Sequence, residues 1–171
     1  MQTEVFSRQH RCFVETDPHG FRWLIRTDSF FLGFYHDKIG SNINHEIETL
    51  RVLKTLGSLE KVFVDVAAHV GYYTVRLSRH YRQVIAIEPD PYNFEGLLRN
   101  LELNHVRNVR AVNVAASCKR GSSILYSAGM GSRLDMVRLH KRVYKVPTDL
   151  LDNLADQADV VKIDTEGHEL E

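Results

Sequence analysis

The sequence lacks several features that would assign it to a functional class at once. Its 22 Lys and Arg residues balance 22 Asp and Glu residues, so the formal net charge is zero. A neutral chain gives no electrostatic argument for a nucleic-acid or membrane partner. No apolar run approaches the roughly 20 residues of a membrane span, and the polar amino terminus has no signal-peptide core. We therefore expect a cytoplasmic protein that binds neither nucleic acid nor membranes.

Cysteine and several common motifs are also scarce or missing. The two cysteines, Cys12 and Cys118, lie far apart and form no CxxC pair, so we expect reduced thiols. The nine histidines show no HExxH or comparable spacing, and no metal site is predicted. GxGxxG is absent, which argues against a dinucleotide-binding oxidoreductase.

What the sequence does contain is an amino-terminal hairpin pattern followed by alternating strands and helices. The turn "DPHG", Asp17 to Gly20, joins two aromatic-rich segments and predicts a hairpin over 11–35. Further predicted elements are helices at 44–57, 71–81, 91–104 and 147–156, strands at 61–67, 83–90, 109–117 and 159–164, and a short hairpin at 121–133.

Repeated strand–helix–strand units predict an α/β fold with a doubly wound, mostly parallel sheet. We divide the chain into an amino-terminal hairpin and helix (1–60) and a sheet domain (61–171). The strand at 159–164 is expected to pair with the strand at 61–67. Because the sequence ends soon after it, we expect the sheet to lack its carboxy-terminal strands.

Ligands of open parallel sheets bind at the carboxyl ends of the strands. Four such ends carry Asp65, Glu88, the pair Ala115–Ala116, and Asp164. The turn "DVAAHVG" after Asp65 has small residues that let the backbone approach a ligand. An acid beside this turn repels a diphosphate and attracts a cation such as an amino group.

Glu88, 23 residues after Asp65, can accept hydrogen bonds from both hydroxyls of a ribose. The ligand so described has a ribose and an amine but no diphosphate, and S-adenosylmethionine fits. Alternatives stay open for single residues. Asp65 or Asp164 can cap the helix that follows, and Glu88 alone can be a solvated loop acid.

Four segments together resemble the FkbM-type methyltransferases, a class I group that depends on S-adenosylmethionine. They are "FVDVAAHVGYYT", "IAIEPDPYNFEGLLRNLELN", "VNVAAS" and "VVKIDTEGHELE", within residues 60–171. The resemblance implies a Rossmann-like sheet and O-methylation of a hydroxyl on a small acceptor such as a carbohydrate. It places the methionine part of the cofactor at Asp65 to Gly71, the ribose at Glu88 and the adenine side at Ala115–Ala116.

The chain departs from the usual D-V-G-A-N-x-G motif of that family at two positions. Ala67 stands where glycine is usual and His69 where asparagine is usual, which bears on cofactor affinity rather than on the fold. The predicted cofactor-binding residues are Asp65, Ala67, Ala68, His69, Gly71, Tyr72, Tyr73, Glu88, Pro89, Asp90, Ala115, Ala116 and Asp164.

Methyl transfer from a sulfonium needs alignment of the nucleophile and, for an alcohol, a base that removes its proton. Asp164 is the first candidate base, and Glu166 and His168 are weaker candidates. Glu166 and Glu169 can instead be acids of a first helical turn. The altered turn keeps a second hypothesis open, a non-catalytic module that binds S-adenosylmethionine or acts as a scaffold. The sequence gives neither the acceptor nor the oligomeric state.

Overall fold

The computed structural model describes residues 4–7, 10–26, 46–127 and 142–165 of the chain. Within these residues it contains three sheets, four α-helices and one short 3-10 turn. The elements in chain order are β1 (Glu4–Ser7), β2 (His10–Thr16), β3 (Arg22–Arg26), α1 (Ile47–Leu56), β4 (Ser58–Val66), α2 (Tyr72–Leu77), β5 (Tyr81–Ile87), α3 (Pro91–Leu103), β6 (Val109–Val112), β7 (Ala115–Ala116), β8 (Gly121–Ser127), β9 (Arg142–Asp149), α4 (Leu151–Leu154) and β10 (Val160–Ile163).

The amino-terminal sheet is antiparallel, in the order β1-β2-β3. Its β2–β3 turn forms because the Asp17 carboxylate accepts the backbone N–H groups of His19 and Phe21, at 2.9 and 3.0 Å. Gly20 supplies the positive φ, 83°, that the fourth position needs. The predicted hairpin is confirmed for its described residues, whereas 27–35 lie outside them and β1 was not predicted.

The central sheet is parallel throughout, in the order β10-β4-β5-β6. This confirms the predicted α/β class, and it confirms that the fourth predicted strand pairs with the first. In the register of β10 and β4, Lys162 lies opposite Asp65. Parallel alignment brings the carboxyl ends of β4, β5 and β10 to one edge of the sheet.

The two middle strands are buried because helices and other elements cover both faces of the sheet. Val62 to Val66 in β4 and Val84 to Ile87 in β5 are all buried, as expected for nearly continuous apolar strands in a parallel sheet. The next helix, α3, begins at Pro91 because the Asp90 side chain accepts the backbone N–H of Tyr92 at 2.8 Å.

The third sheet, in the order β7-β9-β8, corrects two expectations. The predicted strand at 109–117 is split between β6 of the central sheet and β7, which pairs with β9. Strand β8 covers the first part of the predicted hairpin at 121–133 and pairs with β9, whereas 128–133 lie outside the described residues. The predicted helix at 147–156 shrinks to Leu151–Leu154, because its first residues extend β9.

Asn100 of α3 and Asn104, the residue that follows α3, attach the amino-terminal hairpin to the central sheet. Asn100 accepts the backbone N–H of Leu24 at 2.8 Å and donates its amide to Val70 O at 2.8 Å. Asn104 binds both the N–H and the C=O of Arg22. Trp23 and Ile25 belong to the same hydrophobic cluster as Val70 and other residues of the central domain. The hairpin therefore packs directly against the turn that follows β4, and the division at residue 60 stays a prediction.

Candidate functional site

The turn after β4 uses positive backbone φ angles at alternate residues. They are 58° at Ala67, 53° at His69 and 90° at Gly71. The conformation is fixed by hydrogen bonds from Ala68 N to Ile87 O, 3.0 Å, and from Gly71 N to Ala68 O, 2.9 Å. These are the positions at which the family motif has glycine, asparagine and glycine, the residues that tolerate this conformation best. Ala67 and His69 therefore strain the turn.

We expect Ala67→Gly to raise the free energy of unfolding by about 1 kcal/mol, because a left-handed φ costs an L-residue about that much. The matched control is Ala68→Gly, since Ala68 is buried and is not among the residues with positive φ. This control should lower stability instead, through the lost methyl contact and added chain entropy. Urea unfolding measures both variants. Equal destabilisation by both would show that Ala67 is not strained.

Glu88 follows β5 directly and connects the two turns of the site. Its Oε2 accepts the backbone N–H of His69 at 2.7 Å, and its Oε1 accepts that of Asp90 at 3.0 Å. Asn93 Nδ2 approaches Oε1 at 3.4 Å. The residue is only 3% exposed. Burial raises the pKa of Glu88 to about 7, and the two backbone N–H groups oppose this rise.

An acceptor atom beside Glu88 is left over. Asn93 is buried, and within the described part of the chain its Oδ1 has no hydrogen-bond partner. A carboxylate offers about four acceptor positions, and three around Glu88 are used. The pair of side chains thus has free acceptor capacity for two hydroxyl groups that lie close together, as the two hydroxyls of a ribose do. This chemistry fits the predicted cofactor.

Asp65 is the penultimate residue of β4 and is completely buried. Its Oδ2 accepts the hydroxyl of Thr74 at 2.7 Å, and its Oδ1 lies 3.5 Å from the Lys162 ammonium. Asp65 is therefore already bound by α2 and β10, and contact with a cofactor amine stays a prediction. It does not cap α2 at the backbone, because no side-chain hydrogen bond caps that helix.

Tyr72 and Tyr73 begin α2 and differ in their surroundings. Their rings meet edge to face at 5.1 Å. Tyr73 donates its hydroxyl to Glu46, and burial together with this carboxylate raises the pKa of Tyr73. Tyr72 lies over the Arg76 guanidinium, 4.4 Å from its ring centre. Burial also raises the pKa of Tyr72, so both phenol hydroxyls stay protonated. Both rings pack next to the turn.

The remaining predicted residues lie around the ends of β5, β6 and β10. Asp90 is buried as the cap of α3, and Asn113 donates its amide to the backbone carbonyls of Glu88 and Pro89 at 2.7 and 3.1 Å. Ala115 and Ala116 form β7, shortly after Asn113. Asp164 follows β10 with its side chain 52% exposed. Glu166, His168 and Glu169 lie outside the described residues.

Sequence reasoning missed three residues that hold this site together: Thr74, Asn93 and Lys162. The signal for Lys162 was available, because side chains two residues apart in a strand point to the same face. Lys162 therefore lies on the face of β10 that carries Asp164. Neither Thr74 nor Asn93 had a comparable signal, since each depends on the exact path of the preceding turn.

Buried acidic residues at the carboxyl ends of neighbouring parallel strands define an α/β protein of the Rossmann-like type, with its site at that edge of the sheet. Residues 65–171 match the family model of the methyltransferase FkbM domain. The chain belongs to this family, which confirms the resemblance seen in its motifs.

Several solved structures are similar over part of their length. An rRNA methylase from Streptococcus thermophilus is 16% identical, over 41% of this chain and 39% of its own, with a TM-score of 0.40. TYW2 of M. jannaschii in complex with AdoMet is 22% identical, over 63% and 45%, at 0.44. A tRNA methyltransferase of M. jannaschii is 19% identical, over 66% and 32%, at 0.45. This chain thus spans less than half of each. No curated protein matches the sequence.

Among the described residues, no helix combines the length and the apolar composition that a membrane crossing requires. Cytoplasmic location and the absence of a membrane partner stay predictions.

Proposed function

We propose that the chain binds S-adenosylmethionine and transfers its methyl group to a hydroxyl oxygen of a small acceptor such as a sugar or another secondary metabolite. The observation that supports this most is the pair formed by Glu88 and the unpartnered Oδ1 of Asn93, at the end of the strand next to Asp65. Together they offer a ribose two acceptors. Membership in the FkbM family supports the reaction class.

The proposed cofactor contacts follow the order of the strands. The turn from Ala67 to Gly71 and the two tyrosines after it receive the methionine part, Glu88 the ribose, and Ala115–Ala116 the adenine side. Because the Glu88 carboxylate is buried, a ribose reaches it only if the turn that covers it moves. His69 N is the group that moves with this turn, since it donates to Glu88.

S-adenosylmethionine, when bound, would supply a sulfonium methyl group for transfer to the acceptor oxygen, and the electron pair of the C–S bond would remain on the sulfur of the product. The chain has to align the acceptor hydroxyl and receive its proton. Asp164, half exposed at the end of β10, is the proposed base. Glu166 and His168 are further candidates close to it in sequence.

Calorimetric titration of the chain with S-adenosylmethionine and S-adenosylhomocysteine tests the cofactor. Transfer of a labelled methyl group to small hydroxyl compounds, with RNA as a parallel acceptor, tests the substrate class. We expect binding of both nucleosides and labelling of a small hydroxyl compound. Binding without transfer to any acceptor would favour the non-catalytic module, and labelled RNA would overturn the small-molecule acceptor. If neither nucleoside bound, the assignment of S-adenosylmethionine as the cofactor would be overturned.

The raised pKa of Glu88 predicts a pH-dependent stability. The folded chain holds its proton up to about pH 7, whereas the unfolded chain releases it near 4.5. Stability contributed by this proton is present below pH 4.5 and is lost as pH rises to 7, by up to about 3 kcal/mol. Urea unfolding between pH 5 and 8 should therefore show a steeper decline for the unsubstituted chain than for Glu88→Gln. Parallel profiles would contradict the raised pKa.

A further inference from the structure

One lysine lies between two carboxylates, one near the end of β4 and one directly after β10. The Lys162 ammonium is 3.5 Å from Asp65 Oδ1 and 3.6 Å from Asp164 Oδ2. Its side chain is 11% exposed, compared with 0% for Asp65 and 52% for Asp164. The ring of Tyr73 covers the ammonium at 5.0 Å. Lys162 is thus enclosed by one buried acid, one accessible acid and an aromatic face.

Asp65 and Lys162 neutralise each other inside the protein. A buried carboxylate needs a countercharge, and Lys162 provides it from the register position opposite Asp65. A cofactor ammonium at Asp65 would have to displace Lys162 or lie beside its like charge. Asp164 can meet a ligand without either change, because half of its side chain is exposed.

The combined charge of Asp65, Lys162 and Asp164 matches S-adenosylmethionine better than its demethylated product. Two carboxylates and one ammonium leave one negative charge, and that charge is accessible only at Asp164. S-adenosylmethionine has one net positive charge, because its ammonium and carboxylate cancel and its sulfonium remains. The demethylated product, S-adenosylhomocysteine, has lost the sulfonium and has no net charge.

We propose that Lys162 is a positioning residue that keeps Asp65 as an internal ion pair and holds the Asp164 carboxylate toward the cofactor's sulfonium. Asp164, not Asp65, then distinguishes S-adenosylmethionine from its product by charge. This inference rests on the proposed function. It assigns the discrimination of donor from product to a single accessible carboxylate at the end of β10.

Calorimetric titration of variants with the two nucleosides tests the inference. Asp164→Asn should weaken S-adenosylmethionine binding about tenfold, as for loss of one charge interaction near the protein surface, and change the affinity for S-adenosylhomocysteine far less. Asp156→Asn, the same charge change at an exposed position before β10, is the control and should leave the ratio of the two affinities unchanged. If Asp164→Asn weakened the binding of both nucleosides equally, the proposed role of the Asp164 charge in telling them apart would be overturned.

A second pair of variants tests Lys162 itself. Lys162→Met should lower the urea midpoint, and Asp65→Asn added to it should largely restore that midpoint, because the double variant removes a neutral pair. The double variant keeps the charge of Asp164 but removes the ammonium that holds it, so it should lower the ratio of the two nucleoside affinities in the same direction as Asp164→Asn, and by less. An unchanged ratio in the double variant would show that Lys162 does not position Asp164 and would overturn the inference. Failure of the unsubstituted chain to bind either nucleoside is a different result, which overturns the proposed function.

Discussion

Replacing Arg76 with methionine is expected to lower the free energy of unfolding by about 3–5 kcal/mol, the usual effect of breaking a buried ion pair. Arg76 of α2 is 2% exposed and binds the carboxylate of Asp17, in the turn of the amino-terminal hairpin. Its guanidinium carbon also lies 4.8 Å from the Trp23 ring centre and 5.3 Å from that of Phe21. The substitution leaves the Asp17 charge buried without its cation.

The control for this variant is Arg99→Met, because Arg99 also pairs with a carboxylate, Glu102 at 3.2 Å, but with a side chain 59% exposed. Exposed pairs contribute at most about 1 kcal/mol, so this variant should unfold nearly as the unsubstituted chain does. Trp23 is the single tryptophan and is buried, so its fluorescence reports hairpin docking. Arg76→Met should shift the tryptophan emission to the red at lower urea than it changes the circular dichroism. Equal stability of the two variants would contradict the role of the ion pair.

The parts of the fold that the sequence predicted are those with a local signal. The run Val62 to Val66 is apolar at nearly every position, which indicates a strand covered on both faces, and it lies in the centre of the sheet. "DPHG" contains the residues of a tight turn and forms one. The parallel order followed from the alternation of strands and helices.

The parts that were missed depend on contacts between distant residues. Nothing in the local pattern of "GSSILYS" indicates that β8 pairs with residues beyond 141, since strand pairing depends on the loop that closes it. The strand predicted at 109–117 failed for the same reason, because β7 turns away to join β9. The periodicity of apolar residues along a strand indicates which face of the sheet each side chain takes. It does not indicate which strand lies next to it.

The candidate site shows the same division between local and distant information. Strand-end acids were found because their position follows from strand and turn alone. Whether each acid is free to bind a ligand depended on residues far away in sequence, Lys162 for Asp65 and His69 for Glu88. The positive φ angles at Ala67 and His69 were visible only as departures from the family motif. Such departures therefore deserve a conformational test before a functional interpretation.

Replacing Glu88 with alanine is expected to weaken S-adenosylmethionine binding by at least tenfold. Glu88 has one acceptor position left, because Asn93 supplies the other acceptor, so its proposed contact is one charge-assisted hydrogen bond from a ribose hydroxyl. Such a bond contributes roughly 1.5–3 kcal/mol. Breaking this one bond corresponds to a loss of about tenfold or more. The chain should still fold, because water can reach the released N–H groups of His69 and Asp90. Glu102→Ala, an exposed glutamate on α3, is the matched control and should bind normally.

A ligand lacking both ribose hydroxyls separates the ribose contact from a general effect on the turn. The unsubstituted chain should bind S-adenosylhomocysteine much more tightly than its 2′,3′-dideoxy analogue, because only the former can donate to Glu88 and Asn93. In Glu88→Ala this preference should shrink, since the stronger of the two acceptors is gone. A variant that loses affinity for both ligands equally would indicate that Glu88 acts by holding His69 and Asp90 in place. An unchanged dissociation constant would remove Glu88 from the site altogether, and the ribose would then have to bind elsewhere along the edge formed by β4, β5 and β10.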